Sequence, residues 1–239
     1  MKKVDGTLKR LLDVVLPPRC LLCGAHAEPG HGLCAACHAD MPRNDCCCQR
    51  CALPLEHPAA ECGICLRREP PFARAWAPFR YAHPLDLLEA RFKFRRDLAA
   101  GKALSGLMIE AAHGDLRAEL PERIYCVPLH PDRLRERGYN QSLELAKPLA
   151  RALEIPLDFS SLVRSRSTLA QTGLDARERR RNLRGAFELS SGAELPGHAA
   201  ILDDVMTTGT TLRECAQVLR KAGVARVDVW ALARAPARR

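Results

Sequence analysis

The sequence predicts an α/β protein, a doubly wound and mostly parallel sheet with a cysteine-rich module at its N-terminal end. Three observations carry that reading. From residue 71 onward short apolar runs alternate with helix-length amphipathic segments, as the βα units of a parallel sheet require. Before residue 71, Cys-x-x-Cys pairs recur in a stretch poor in large apolar residues, which needs a metal to hold a core. Third, Ala199-Ala200-Ile201-Leu202-Asp203-Asp204-Val205-Met206-Thr207-Thr208-Gly209-Thr210-Thr211 sets two acids and a hydroxyl-rich turn between a buried-type strand and a helix. The expected boundary is at Pro70-Pro71, dividing residues 1–70 from 71–239.

At 239 residues and 47% hydrophobic content the chain can core one domain and a smaller module, which excludes a disordered protein. The opening segment, with Leu8, Leu11, Leu12 and Val15 spaced among Lys9, Arg10 and Asp13, reads as an amphipathic helix. Its apolar run is too short and interrupted for a signal peptide or a membrane span, so a cytoplasmic location is expected. In that compartment twelve cysteines point to metal ligation over disulfides. The net charge of +9 suits phosphates or nucleic acid, although it equally describes a solvated basic surface.

In chain order, Cys20-x2-Cys23-x10-Cys34-x2-Cys37 is followed by Cys48-x2-Cys51-x10-Cys62-x2-Cys65. Each half offers two knuckles and a spacer long enough for a hairpin, the pattern of a zinc ribbon. Pairing within each half is simplest; an interleaved pairing uses the same eight residues, and spacing does not separate them. Cys46 and Cys47 fall outside the repeat, and His26, His31, His38 or His57 could substitute as ligands in principle but read as bystanders. Four sulfurs leave zinc no open position, so one or two structural ions are expected.

Phe72 to Tyr81 reads as one or two strands, and Pro84 opens a helix through Phe92. Lys93 and Arg95 near its end could face a ligand, although basic residues at a helix end more often complement its dipole. A second helix is expected from Leu98 to Ala112. Ile124 to Pro128 is a strand whose carboxyl end carries a basic loop with His130, Arg133, Arg135, Arg137, Gly138, Asn140 and Gln141. Open α/β sheets bind ligands at that edge, and a pyrophosphate matches the charge. Asn140 caps a helix to about Leu153, and Pro156 to Val163 supplies a strand. The arginine-dense segment that follows (Arg164, Arg166, Arg177, Arg179, Arg180, Arg181 and Arg184, with Gln171 and Asn182 among them) reads as a lid or binding loop. Ala186 to Leu189 and Val227 to Leu232 complete the strands.

The threonine-rich turn has the clearest chemistry. Amides at a helix start, joined by the hydroxyls of Thr207, Thr208, Thr210 and Thr211, form an anion pocket. Asp203 and Asp204 would repel a phosphate but accept hydrogen bonds from sugar hydroxyls, so a sugar phosphate satisfies both halves. Gly-Lys-Ser/Thr and Gly-x-Gly-x-x-Gly are both absent. A polar βα turn with one threonine cap accounts for part of this set and not the whole. Leu212, Cys215, Ala216, Leu219 and Ala222 continue at helical spacing to Gly223.

The acid pair and Thr207-Thr208-Gly209-Thr210-Thr211 resemble the phosphoribosyl-diphosphate (PRPP) loop of type I phosphoribosyltransferases. Together with the cysteine repeat, Lys93-Phe94, Val127-Pro128-Leu129-His130-Pro131, Arg135-Glu136-Arg137-Gly138-Tyr139-Asn140-Gln141, Gln171-Thr172-Gly173-Leu174 and Arg177-x-x-Arg180-x-Asn182, nearly the whole chain resembles the ComF family. That family is similar to amidophosphoribosyltransferases and includes competence proteins needed for uptake of transforming DNA and GntX-like proteins. The resemblance implies a type I phosphoribosyltransferase fold for residues 71–239 and a double zinc ribbon for 1–70. It implies PRPP and Mg²⁺ as ligands, with Asp203 and Asp204 on the ribose hydroxyls and Thr207 to Thr211 on the 5′-phosphate. Arg133, Arg135 or Arg137, with Mg²⁺, would stabilise departing pyrophosphate, and the arginine lid would exclude water. Single-stranded DNA and proteins of the DNA-uptake machinery are the implied partners. No familiar hood follows the core, so the zinc module is expected in its place and the acceptor is unassigned. Three readings stay open: a transferase tied to DNA uptake, a non-catalytic PRPP sensor that binds DNA, and a nucleobase or amine phosphoribosyltransferase. Aromatic content of 5% favours backbone contact over stacking for any DNA.

Overall fold

The computed structural model describes residues 17–28, 30–116, 119–165, 183 and 185–237. The expected N-terminal helix and most of the arginine-dense segment, including Gln171, Arg177, Arg180 and Asn182, lie outside them.

The main sheet is built from β1 (Ala75–Trp76), β2 (Phe79–Arg80), β3 (Arg123–Cys126), β4 (Leu157–Asp158), β7 (His198–Met206) and β8 (Arg226–Arg234). Its order is β1-β8-β7-β3-β4, with β2 also on β8, and every pairing is parallel. Leu202 of β7 stands between Cys126 of β3 and Trp230 of β8, so β7 is central. Its residues 199 to 202 are fully buried because both faces are covered. Ala200 and Leu202 join one core with Leu88, Phe92, Leu104, Met108, Leu145 and Leu149. Ala199 and Ile201 join the other with Leu212, Leu219 and the cysteines of the second knuckle pair. The two-residue period of a strand divides one apolar run between two cores, which is the doubly wound arrangement.

The covering helices are α3 (Leu85–Arg95), α4 (Leu98–Asp115) and α6 (Gln141–Ala152) on the first face and α7 (Thr210–Ala222) on the second. Short helices α1 (Ala35–Ala39) and α2 (Gly63–Arg67) belong to the cysteine module, and α5 (Pro131–Arg137) follows β3. At the corner between α3 and α4, Asp97 accepts from the amides of Ala99 and Ala100 at 3.0 and 3.1 Å and caps α4. A Cβ at Gly101 would collide with the Phe92 ring, so glycine permits the close approach of the two helices. Among the described residues no helix is long and apolar enough to cross a membrane.

Four expectations change. The strand expected over 156–163 is broken: Asp158 accepts from the amides of Ser160 and Ser161 and turns the chain, as Asx turns do. Beyond the turn, β5 (Leu162–Arg164) pairs antiparallel with β6 (Phe187–Leu189) as a separate ribbon. Strand β7 does not stop at Leu202 but continues through both aspartates to Met206, because β8 pairs with it out to Arg234. The basic loop after β3 contains a true helix, α5, begun by Pro131 and closed by Gly138 at φ 83°.

Candidate functional site

The carboxyl ends of β3 and β7 open into a cleft of about 290 Å³. It collects Asp203, Asp204 and Thr207 to Thr211 from β7 and its turn, Arg133 and Arg137 from α5, Gln141 and Ser142 from α6, Lys93 and Phe94 from α3, and Arg164 from β5.

The turn between β7 and α7 depends on Gly209, at φ 71°. That conformation demands glycine, and a Cβ there would also have to displace the Met206 methyl, 2.6 Å away. The Thr208 and Thr210 hydroxyls lie 2.8 Å apart, and the N-terminus of the 13-residue α7 faces the cleft.

The acid pair is differentiated by its partners. Asp203 accepts from the Ser142 hydroxyl and from the Asp204 amide, each at 2.9 Å. Asp204 accepts from Lys93 Nζ at 2.8 Å, and the same ammonium lies 3.1 Å from buried Glu89, which accepts from the Tyr81 hydroxyl at 3.2 Å. Burial, followed by the charge of Asp204, pushes Asp203 up to about 7. Burial acts on Asp204 in the same sense, but Lys93 outweighs it and holds that carboxyl below its ordinary value. Burial and then Asp204 raise Glu89 against the pull of Lys93.

Of the basic loop, Arg133 and Arg137 enter the cleft and Arg135 does not. Arg135 is 76% exposed and pairs with Asp132 at 2.7 Å. One helical turn separates 133 from 137, while 135 falls on the opposite side. His130 caps α5 by accepting from the Asp132 amide. Gly138 closes α5, and Asn140 caps α6 while donating to the Val127 carbonyl at 3.0 Å. These three shape the loop without lining the cleft, whereas Gln141 lines it and accepts from Arg137 at 3.0 Å.

Of the two roles open to Lys93 from sequence, facing a ligand or complementing the helix dipole, the structure places it in the cleft as the counter-ion of the acid pair; the i,i+4 spacing of Glu89 and Lys93 was the available signal. Ser142 was also missed as a lining residue, whereas Arg164, the first residue of the expected binding loop, lines the cleft from β5. Among the described residues none from 17–70 lines the cleft.

That module forms two four-cysteine groups, Cys20, Cys23, Cys34 and Cys37, and Cys48, Cys51, Cys62 and Cys65, with the sulfurs of each group within 4.8 Å of one another. Pairing is therefore within each half, and neither group includes a histidine. The Cys23–Cys34 and Cys51–Cys62 sulfurs are each 3.7 Å apart, far beyond a disulfide bond and close to the edge of about 3.8 Å expected for a tetrahedron of zinc–sulfur bonds. The donor set thus fits zinc. Buried Arg234, at the end of β8, donates to the Cys51 carbonyl at 3.2 Å, to the Met206 carbonyl at 2.9 Å and to the Thr207 carbonyl. The second knuckle pair is thereby tied to the threonine-rich turn.

Comparison with known proteins agrees with both halves. Residues 11–66 match the double zinc ribbon domain family and residues 140–239 the phosphoribosyl transferase domain family. The chain is 41% identical to DNA utilization protein YhgH of Escherichia coli O157:H7, over 92% of this chain and 99% of the relative. It is 38% identical to Competence protein F of Haemophilus influenzae (strain ATCC 51907 / DSM 11121 / KW20 / Rd), over 91% of this chain and 97% of the relative. Among solved structures, glutamine PRPP amidotransferase from B. subtilis overlaps 56% of this chain and 26% of that one at 23% identity and a TM-score of 0.38. Sheet, cysteine groups and similarity to relatives matched over nearly their whole length lead to one assignment: the chain belongs to the ComF family, which joins a double zinc ribbon to a type I phosphoribosyltransferase fold and includes Competence protein F and DNA utilization protein YhgH.

Proposed function

We propose that this protein binds PRPP with Mg²⁺ in the cleft and supports the uptake or use of external single-stranded DNA, as in natural transformation. The observation that carries the reading is the acid pair Asp203–Asp204 opening into the same cleft as the threonine-rich turn and two arginines.

In this reading Thr207 to Thr211 and the start of α7 hold the 5′-phosphate, because a helix N-terminus and converging hydroxyls favour an anion. Asp203 and Asp204 accept from the ribose hydroxyls. Asp203 already accepts a hydroxyl, that of Ser142, and Asp204 exchanges Lys93 for sugar. Arg133 and Arg137 face the diphosphate and stabilise the charge that develops as it leaves, while the carboxylates favour the positive charge on the sugar. The reaction needs no side-chain nucleophile. Carboxylate oxygens beside a diphosphate site are a fitting donor set for a hard cation, and bound Mg²⁺ would neutralise charge on the leaving group. Each four-cysteine group holds one structural zinc ion. The relatives' names, DNA utilization protein and Competence protein F, together with the +9 charge, support the DNA role. Arg177, Arg179 and Arg180 are the proposed backbone contacts.

Calorimetry with PRPP and Mg²⁺ tests the pocket: wild type gives a saturable heat and Asp203→Asn/Asp204→Asn loses it, whereas equal heats remove the assignment. Pyrophosphate release from labelled PRPP offered bases, amines and oligonucleotides then separates an enzyme from a PRPP-responsive DNA binder. For DNA, affinity is expected to fall steeply with salt and to drop when the three arginines become alanine. Salt-independent binding contradicts that part.

A further inference from the structure

We infer that the cleft carries an aromatic platform at Phe94 on which one planar heterocyclic base stacks, supplied as a free nucleobase or as a base of single-stranded nucleic acid. The inference deepens the PRPP reading and rests on it for the identity of the neighbouring ligand.

Charged side chains line the cleft, among them Lys93, Arg133, Arg137 and Asp204, beside an apolar share that includes Leu129, Val205 and Met206. Phe94 lines it too and is 66% exposed. A phenyl ring left in water forgoes its burial energy, and packing does not require this one. Phe92, two residues earlier, already fills the contact with α4 against Gly101 and is fully buried.

The ring also stands on a fixed mount. Helix α3 ends at Arg95, the next residue, and is capped by Arg96, which adopts a left-handed φ of 56°. A residue other than glycine pays strain for that conformation, and such strain gathers at functional sites. Arg96 donates to the Glu136 carbonyl at 2.7 Å, the Tyr139 hydroxyl donates to the Phe92 carbonyl, and Arg91 pairs with Asp97 at 2.6 Å. The helix end is thus pinned from both the α5 side and the α4 side. A ring carried on a held backbone has few torsions left to order when a base covers it.

Charge selects the kind of planar ligand. Lys93 lies inside the cleft and exposed Arg95 and Arg96 lie beyond it, so the ring sits among cations that suit a base bearing, or next to, phosphates. The other aromatic residue lining the cleft, Tyr81, has its hydroxyl engaged by Glu89. A single exposed ring in the cleft accommodates one base, which reconciles stacking with the low aromatic content of the chain.

The test uses 2-aminopurine, whose fluorescence falls on stacking, as the free base and within a short single-stranded oligodeoxynucleotide, titrated with the full chain without PRPP. Saturable quenching of at least one probe is expected. Phe94→Ala should weaken it about tenfold, in the range of a single base–aromatic stack, and Phe94→Tyr should stay within about twofold because the ring is kept. Quenching of the free base alone assigns a nucleobase; quenching of the oligonucleotide alone assigns nucleic acid. Equal quenching by wild type and Phe94→Ala, or none by wild type, overturns the platform. Loss of PRPP heats with quenching intact would instead sink the reading of the threonine-rich turn and leave the platform standing.

Discussion

Asp203 and Asp204 carry adjacent carboxylates into one cleft, yet only Asp204 has a lysine against it. Their pH behaviour therefore runs in opposite directions. Asp203, at about 7 in the folded chain, binds a proton that the unfolded chain releases near pH 4, so its contribution to stability is full below pH 4 and is lost as pH rises toward 7. Urea unfolding across that window should show stability falling as pH rises, and Asp203→Asn should flatten the slope. Asp204 lies below its ordinary value, so its contribution is present above about pH 4 and disappears in acid. Lys93→Met leaves Asp204 and Glu89 facing each other without their cation. The expected cost is about 3 kcal/mol at neutral pH, shrinking in acid as the carboxylates protonate; a uniform cost across pH would show that lost packing, and not charge, is responsible.

At the scale of elements, the corner between α3 and α4 sets Lys93 and Phe94 relative to the rest of the cleft. Asp97 holds that corner twice, as cap of α4 and as partner of Arg91. Burial works against its ionised form, but the Ala100 amide and Arg91 hold it below the usual carboxylate range. Asp97→Ala should cost about 1–2 kcal/mol in denaturant unfolding at neutral pH, with less cost as pH falls below about 4. The turn from β7 into α7 is equally specific. Gly209→Ala forces a Cβ into a left-handed residue and against Met206, so it should destabilise by about 1 kcal/mol or more and weaken PRPP binding; unchanged calorimetric affinity would separate the turn from the phosphate.

For the whole molecule, Arg234 joins the cysteine module to the site, with a buried guanidinium spanning the carbonyls of Cys51, Met206 and Thr207. Arg234→Met strands those acceptors, at an expected cost of about 3 kcal/mol, and should speed amide exchange through Thr207 to Thr211. Chelating the metal should loosen the same turn, since an unligated knuckle no longer fixes the Cys51 carbonyl. Exchange at the turn that ignores chelation would show the module to be only an attachment. What the sequence by itself determined were features set by short spacing: eight cysteines in four knuckles, the strand-to-helix turn at Gly209, the caps at Asn140 and Gly223, and the alternation that builds a parallel sheet. Local periodicity and backbone preference act over a few residues, so they leave their mark in a single segment. Other features were decided only by the tertiary structure. The cysteines pair within each half, Arg133 and Arg137 enter the cleft while Arg135 leaves it, β5 departs from the main sheet, and Lys93 reaches Asp204 from 111 positions away. Each of these depends on which faces of distant elements meet when the two cores close, and that choice is made by burial across the whole chain and not by any one stretch of it.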